Sequence, residues 1–173
     1  MASERTGVIT FQSNPLTLVG PEIKVGESAP DFTVLSGDLS PVTLQSFKGK
    51  TKLISVVPSL DTPVCDQQTR RFNEEAGKLP EDIVVLTISA DLPFAQGRFC
   101  STAGIKKIQV LSDHKETSFG EAYGTLIKEL RLLTRAIFII GADDKVQYVE
   151  YVSEITNHPN YEAALNALKA TAK

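Results

Sequence analysis

Lys52-Leu-Ile-Ser-Val-Val57 is a short apolar run rich in β-branched residues, and Pro58-Ser-Leu-Asp-Thr-Pro-Val-Cys65 follows it directly. The first run predicts a buried β-strand. Within the second, Thr62 is a good helix N-cap and Pro63 suits the first helical position. The residues that follow are helical in composition as far as about Lys78. The segment therefore predicts a buried strand, a short loop and a helix in succession.

Cys65 falls in the first turn of this predicted helix, at about the third position. Its spacing to Phe72 and Ala76 places the three side chains on one helical face. Free backbone N–H groups and the positive end of the helix dipole act in the first turn, and both favour a thiolate over a thiol. A lone cysteine is often only a small buried hydrophobe. The position beside a Thr-Pro cap nevertheless makes Cys65 a candidate nucleophile.

The remaining chain predicts strands that alternate with helices. A β-hairpin is expected at about residues 8–19, and a closing amphipathic helix at 161–169. Further strands are predicted at residues 31–35, 42–44, 83–89, 108–111, 136–140 and 145–149, with a short helix at 117–123. Because the pair at 136–149 reads as a hairpin, the sheet should be mixed. The fold class is therefore an α/β sandwich, expected as a single domain over residues 1–173.

A second cysteine lies 35 positions after the first, on or at the end of a helix opened by Asp91-Leu-Pro93. This residue, Cys100, is either a buried structural cysteine or the partner of Cys65. The absence of Cys-x-x-Cys spacing speaks against a dithiol reductase. The pair suits a thiolate that is oxidised first and a second thiol that resolves it. Gly97 inside this helix either weakens it or lets another element pack closely.

The Pro-x-x-x-Thr-x-x-Cys pattern of Pro58, Thr62 and Cys65 resembles that of the peroxiredoxins. Ser89-Ala-Asp-Leu-Pro-Phe-Ala-Gln-Gly-Arg-Phe-Cys100 is similar to the second-cysteine segment of one subgroup, the thiol peroxidases. Asn14-Pro-Leu-Thr and Leu133-Thr-Arg-Ala-Ile-Phe138 resemble the same subgroup. The similarity extends over almost the whole chain, from about residue 7 to residue 170.

This resemblance implies a thioredoxin-like fold with an added N-terminal hairpin, and a peroxidase cycle. The sequence has no glycine-rich phosphate loop and no cofactor motif, so no cofactor is expected. Cys65 would attack hydrogen peroxide or an organic hydroperoxide and become a sulfenic acid. Cys100 would condense with it to an intramolecular disulfide, which thioredoxin would reduce. A homodimer is expected from the resemblance alone.

The resemblance also implies roles for three further residues. Thr62 would hydrogen-bond the peroxide oxygens and the thiolate, a role compatible with capping the helix, and Pro58 would shield the sulfur from water. Arg135, which on sequence alone reads as a solvated charge, would lie beside the sulfur and orient the peroxide. Arg131 is close by but lacks the Arg-Ala-Ile-Phe context. The segment from Ile127 to Leu132 lacks the glycine-containing loop of many family members.

Composition, the N-terminal sequence and the lack of further motifs argue against several other classes of protein. A net charge of −3 gives no indication of a basic surface for nucleic-acid binding, and the apolar runs are too short to span a membrane. The N-terminus lacks the features of a secretory signal, which predicts the reducing cytoplasm. His114 and His158 have no supporting motif for a Cys–His hydrolase or a zinc site.

Two alternatives to the peroxidase remain at this point. A non-enzymatic redox sensor or binding module would use the same cysteine pair, and a disulfide oxidoreductase would be the weaker alternative. Turnover of peroxide in the presence of thioredoxin distinguishes the enzyme from the sensor.

Overall fold

The computed structural model describes residues 3–171 as a large mixed sheet, a smaller antiparallel sheet and four helices. The strands are β1 (Glu4–Phe11), β2 (Asn14–Val19), β3 (Thr33–Leu35), β4 (Pro41–Thr43), β5 (Thr51–Val56), β6 (Ile83–Ser89), β7 (Gln109–Ser112), β8 (Leu126–Ile127), β9 (Ala136–Ile140) and β10 (Val146–Tyr151). The helices are α1 (Pro63–Ala76), α2 (Pro93–Ala103), α3 (Ser118–Ala122) and α4 (Tyr161–Thr171). A 3₁₀ turn at Leu44–Phe47 lies between β4 and β5. None of these helices is both long and apolar enough to cross a membrane.

The large sheet has the strand order β10-β9-β5-β6-β7-β3-β4, with β5 in its interior between β9 and β6. β5 runs parallel to β6 and antiparallel to β9, which confirms the mixed sheet. All six residues of β5 are buried, because helices cover both faces of the sheet. β5 and β6 end at the same edge of the sheet, so the loops that lead into α1 and α2 start side by side. The Val57 amide donates to the Ile88 carbonyl at 3.1 Å across this edge.

The two faces of the sheet carry separate hydrophobic clusters. Alternation along β5 sends Leu53 to one face and Ile54 to the other. Phe72 of α1 and Leu165 of α4 pack with Leu53, while Phe119 of α3 packs with Ile54 on the opposite face. This three-layer arrangement confirms the predicted α/β sandwich.

The N-terminal hairpin is present and begins earlier than predicted, because β1 pairs with β2 from Glu4 onward. Gln12 and Ser13 form its two-residue turn, with φ angles of 49° and 70°. β8 adds a third strand beside β2. The end of β1 also contacts the segment after β10, where the Ile155 amide donates to the Thr10 carbonyl at 3.0 Å. The hairpin is thereby attached to the main body next to the start of α1.

Candidate active site

Cys65 is the third residue of α1 and is fully buried. Thr62 occupies the N-cap and Pro63 the first helical position, as the sequence predicts. The sulfur therefore lies where the helix has unpaired N–H groups and the positive end of its dipole. Val57 and Leu60 form a small apolar cluster with it. This environment excludes bulk water while keeping an electrostatic preference for a negative charge.

Arg135 supplies a positive charge at the same point. It lies immediately before β9, is 2% exposed, and places Nη1 3.3 Å from the sulfur of Cys65. Within residues 3–171 the guanidinium forms no ion pair with a carboxylate, so Cys65 is its only ionisable hydrogen-bond partner. A buried cation is costly without a counter-charge. The sulfur of Cys65 therefore lies beside a buried positive charge that has no carboxylate partner within residues 3–171.

Neutral groups fix the orientation of this guanidinium. Nη1 donates to the side-chain oxygen of Gln68 at 3.0 Å, and Gln68 in turn donates to the Ser55 hydroxyl at 2.7 Å. Nε and Nη2 both donate to the Ile155 carbonyl, at 2.9 and 2.8 Å. Four of the five N–H groups of Arg135 thus donate to defined acceptors. Gln68 was not predicted as a site residue, although it lies three residues after Cys65 on the same helical face.

Thr62 and Pro58 lie at the entrance to this site. The Thr62 hydroxyl makes no side-chain cap on α1 and instead donates to the Ser59 carbonyl at 3.1 Å. Capping by this hydroxyl, one of the two roles considered from sequence, is therefore not observed. Pro58 is buried, Thr62 is exposed, and both line the pocket that reaches Arg135.

This pocket has a cavity volume of about 360 Å³. That is roughly ten times the ~30 Å³ share of one liquid water, so it has room for an organic substituent as well as a peroxide group. Its lining is mainly apolar away from Arg135: Phe11, Gln12, Pro58, Ser59, Thr62, Pro63, Val64, Leu130, Leu132, Arg135, Ile155 and Thr156. The rim residues of the hairpin and of the segment after β8 carry no motif and were not predicted.

Cys100 lies in α2, and both cysteines are free thiols. It is half-buried beside the cluster of Phe72 and Leu53, and this burial raises the pKa of its thiol. Phe99, the residue before it, packs against the cluster of Cys65. Gly97 faces open space: apart from its chain neighbours and its own helix backbone, no atom lies within 4 Å of the position of a Cβ. The expectation that Gly97 lets another element pack closely is therefore wrong, and its effect on helix stability remains.

Asp91 does not cap α2 as expected, because Leu92 takes the N-cap position. Its carboxylate instead accepts hydrogen bonds from the Ser59 hydroxyl at 2.8 Å, the Leu60 amide at 2.9 Å and the Ser89 hydroxyl at 2.7 Å. One carboxylate thus joins the loop before α1 to the residues before α2. Sequence could not show this, since the bonds span more than 30 positions.

The remaining sequence candidates lie away from the site. Arg131 is exposed in the turn after β8 with a φ of 55°. His114 is exposed, and His158 is exposed with Nδ1 2.7 Å from the Tyr161 hydroxyl. Residues 3–171 contain no group of three or more His, Cys, Asp or Glu side chains arranged to hold a metal ion.

The family model described as Redoxin matches residues 24–165. The chain belongs to the redoxin family. Two relatives are each named thiol peroxidase. That of Halalkalibacterium halodurans is 64% identical to this redoxin over 162 residues, covering 94% of this chain and 97% of the relative. That of Bacillus subtilis is 61% identical over 165 residues, covering 95% and 98%.

A solved structure supports the same placement of this redoxin. The peroxiredoxin-like protein from Aquifex aeolicus superposes with a TM-score of 0.89 at 42% identity, covering 98% of both chains. The expected thioredoxin-like peroxiredoxin fold and the resemblance to the thiol peroxidases are therefore confirmed.

Proposed function

We propose that this redoxin is a thiol peroxidase in which Cys65 is the peroxidatic cysteine. The observation that carries the proposal is the buried Arg135, which has the sulfur of Cys65 as its only ionisable hydrogen-bond partner within residues 3–171. A structural cysteine needs no such partner, whereas a nucleophilic thiolate does. The names of the thiol peroxidase relatives, at 64% and 61% identity, support the same assignment.

In the first step the thiolate of Cys65 attacks one peroxide oxygen. The S–O bond forms as the O–O bond breaks, and the departing oxygen takes a proton to leave as water or an alcohol. Arg135 stabilises the negative charge that moves onto this oxygen. Thr62 is proposed to donate its hydroxyl to the bound peroxide in place of the Ser59 carbonyl, and Pro58 to keep water from the sulfur.

In the second step the thiol of Cys100 attacks the sulfenic acid of Cys65. An S–S bond forms and water leaves, which stops the oxidation before the irreversible sulfinic acid. Burial raises the pKa of Cys100. Its side chain packs with the cluster of Phe72 and Leu53, whereas Cys65 belongs to the cluster of Val57 and Leu60. The proposed resolving step therefore requires α2 to move.

Thioredoxin is the proposed reductant of this disulfide, supplying two electrons by dithiol exchange. Hydrogen peroxide and organic hydroperoxides are the proposed substrates, because the pocket has room for an apolar substituent beside the reacting group. A cytoplasmic location fits a cycle that depends on reduced thioredoxin. The homodimer rests on family resemblance, and sedimentation at micromolar concentration tests it.

The assay that tests the function couples peroxide consumption to NADPH oxidation through thioredoxin reductase and thioredoxin. We expect multiple turnovers with the wild type and none with Cys65→Ser, because serine has no accessible anion at neutral pH. Circular dichroism would confirm that the variant is folded. One oxidation without thioredoxin-dependent turnover would contradict the peroxidase and favour the redox sensor.

A further inference from the structure

The pocket that reaches Arg135, the neighbour of Cys65, is bordered on one side by segments connected to the small sheet. Phe11 and Gln12, at the tip of the β1–β2 hairpin, line it, as do Leu130 and Leu132 in the segment after β8. β1, β2 and β8 are the three strands of that sheet. A peroxide group reacting at the sulfur lies beside Arg135. An organic substituent of the peroxide therefore extends toward this rim.

The tip of the hairpin has an unfavourable backbone conformation of its own. Phe11 pairs with Asn14, which leaves Gln12 and Ser13 as a two-residue turn. Both have positive φ angles, 49° and 70°, where glycine or asparagine is preferred. Such a turn needs contacts from elsewhere to hold one conformation.

A single carboxylate supplies those contacts. Glu154 accepts hydrogen bonds from the amides of Gln12 and Ser13, at 3.2 and 2.8 Å, and from the Thr10 hydroxyl at 2.7 Å. It also accepts from the amide and hydroxyl of Thr156, another pocket residue, at 3.0 and 2.6 Å. These donors hold the pKa of Glu154 well below its usual range. The carboxylate thus fixes two parts of the rim to each other.

We propose that Glu154 determines substrate specificity by holding the hairpin tip so that Phe11 packs against the organic substituent of a hydroperoxide. The inference rests on the proposed peroxidase function and adds a residue that selects among peroxides. Hydrogen peroxide has no substituent to reach the rim, so it does not use this contact. Glu154 acts only through the tip and is a positioning residue.

Removing Glu154 can also affect the reaction centre in a second way, through the neighbouring residue Ile155. The Ile155 carbonyl orients Arg135, so a loss of order at Glu154 could also disturb the reaction centre. That disturbance would slow every peroxide alike. The ratio of kcat/KM for cumene hydroperoxide to kcat/KM for hydrogen peroxide separates the two routes.

The test measures this ratio in the thioredoxin-coupled assay for the full chain. Glu154→Ala should lower it roughly tenfold, within the range that a hydrophobic pocket contact contributes to discrimination. Glu162→Ala, which removes an exposed carboxylate of α4, is the control and should leave it unchanged. Phe11→Ala should lower the ratio similarly, and the double variant should lower it no further, because both changes remove one contact.

A conformational rescue makes the test sharper. Ser13→Gly in the Glu154→Ala background should restore most of the ratio, since glycine adopts positive φ without strain. If Glu154→Ala does not fold, the same ratio is measured for Phe11→Ala and for Glu154→Gln as single variants. These ratios still show whether the rim selects among peroxides. An unchanged ratio in the folded variants, or equal losses with both peroxides, would overturn the proposal. A wild type inert toward both peroxides would instead refute the proposed peroxidase function.

Discussion

Gly97→Ala tests whether the helix that carries Cys100 must open during the proposed cycle. Gly97 is exposed in the interior of α2, and apart from its chain neighbours and its own helix backbone no atom lies within 4 Å of the space that a methyl group would take. Alanine should therefore stabilise α2 by about 1 kcal/mol without a steric cost. Because the stabilisation is lost when the helix opens, any step that needs opening becomes slower.

The size of the effect follows from that free energy. Since about 1.4 kcal/mol corresponds to a tenfold change in rate, 1 kcal/mol slows disulfide formation about fivefold. Oxidation of Cys65 should keep its rate, because Cys65 lies on α1. A longer-lived sulfenic acid also meets more peroxide, so the sulfinic form should accumulate up to about fivefold faster at high peroxide.

The assay is a single peroxide pulse followed by rapid alkylation and mass spectrometry of Cys65 and Cys100. Gly77→Ala is the matched control: Gly77 ends α1 with a right-handed φ of −65° and is also exposed. Urea unfolding should show greater stability for both variants, but only Gly97→Ala should delay the disulfide. Equal disulfide rates in the wild type and in a stabilised Gly97→Ala would refute the opening of α2.

Three further changes have defined outcomes. Cys100→Ser should allow one fast oxidation of Cys65 and then stall; normal turnover with thioredoxin would contradict its resolving role. Gln68→Met should slow the reaction with peroxide about tenfold, because Arg135 loses a hydrogen bond worth roughly 1.5 kcal/mol, and circular dichroism should show an intact fold. Burial raises the pKa of Asp113 to about 6, so its contribution to stability is full below about pH 4 and is lost as pH rises through 6. Urea unfolding of Asp113→Asn should lack this decline; an identical pH dependence would show that Asp113 does not titrate there.

The elements around Cys65 could be predicted because their signals are local. A β-branched run, a Thr-Pro pair and a helical spacing lie within about 25 residues, and they placed Cys65 at the third position of α1 correctly. The same local reasoning predicted the wrong N-cap for α2. Asp91 was available as a cap, but three donors from its own segment and the neighbouring loop claim its carboxylate. Tertiary hydrogen bonds outweighed the local preference.

The environment of Arg135 could not be derived from sequence patterns. On its own sequence the residue reads as a solvated charge at the start of a strand, yet it is 2% exposed. Only the topology, which sets β9 beside β5, brings it to the sulfur 70 positions away. Ile155 contributes a backbone carbonyl, a group that every residue carries, so no side-chain signal marked it. The rim residue Phe11 belongs to a hairpin that was predicted without any link to the pocket.

The buried Arg135 has a consequence for the charge balance of the proposed cycle. While Cys65 is a thiolate, anion and cation compensate each other out of reach of water. A disulfide at Cys65 is neutral, so oxidation would leave the guanidinium buried with neutral acceptors alone. Loss of one member of a buried pair typically costs about 3–5 kcal/mol. In the proposed cycle, oxidation would thus make the closed pocket unfavourable, and Arg135, which is proposed to assist attack on the peroxide, would also promote hydration of the site and exposure of the disulfide to its reductant.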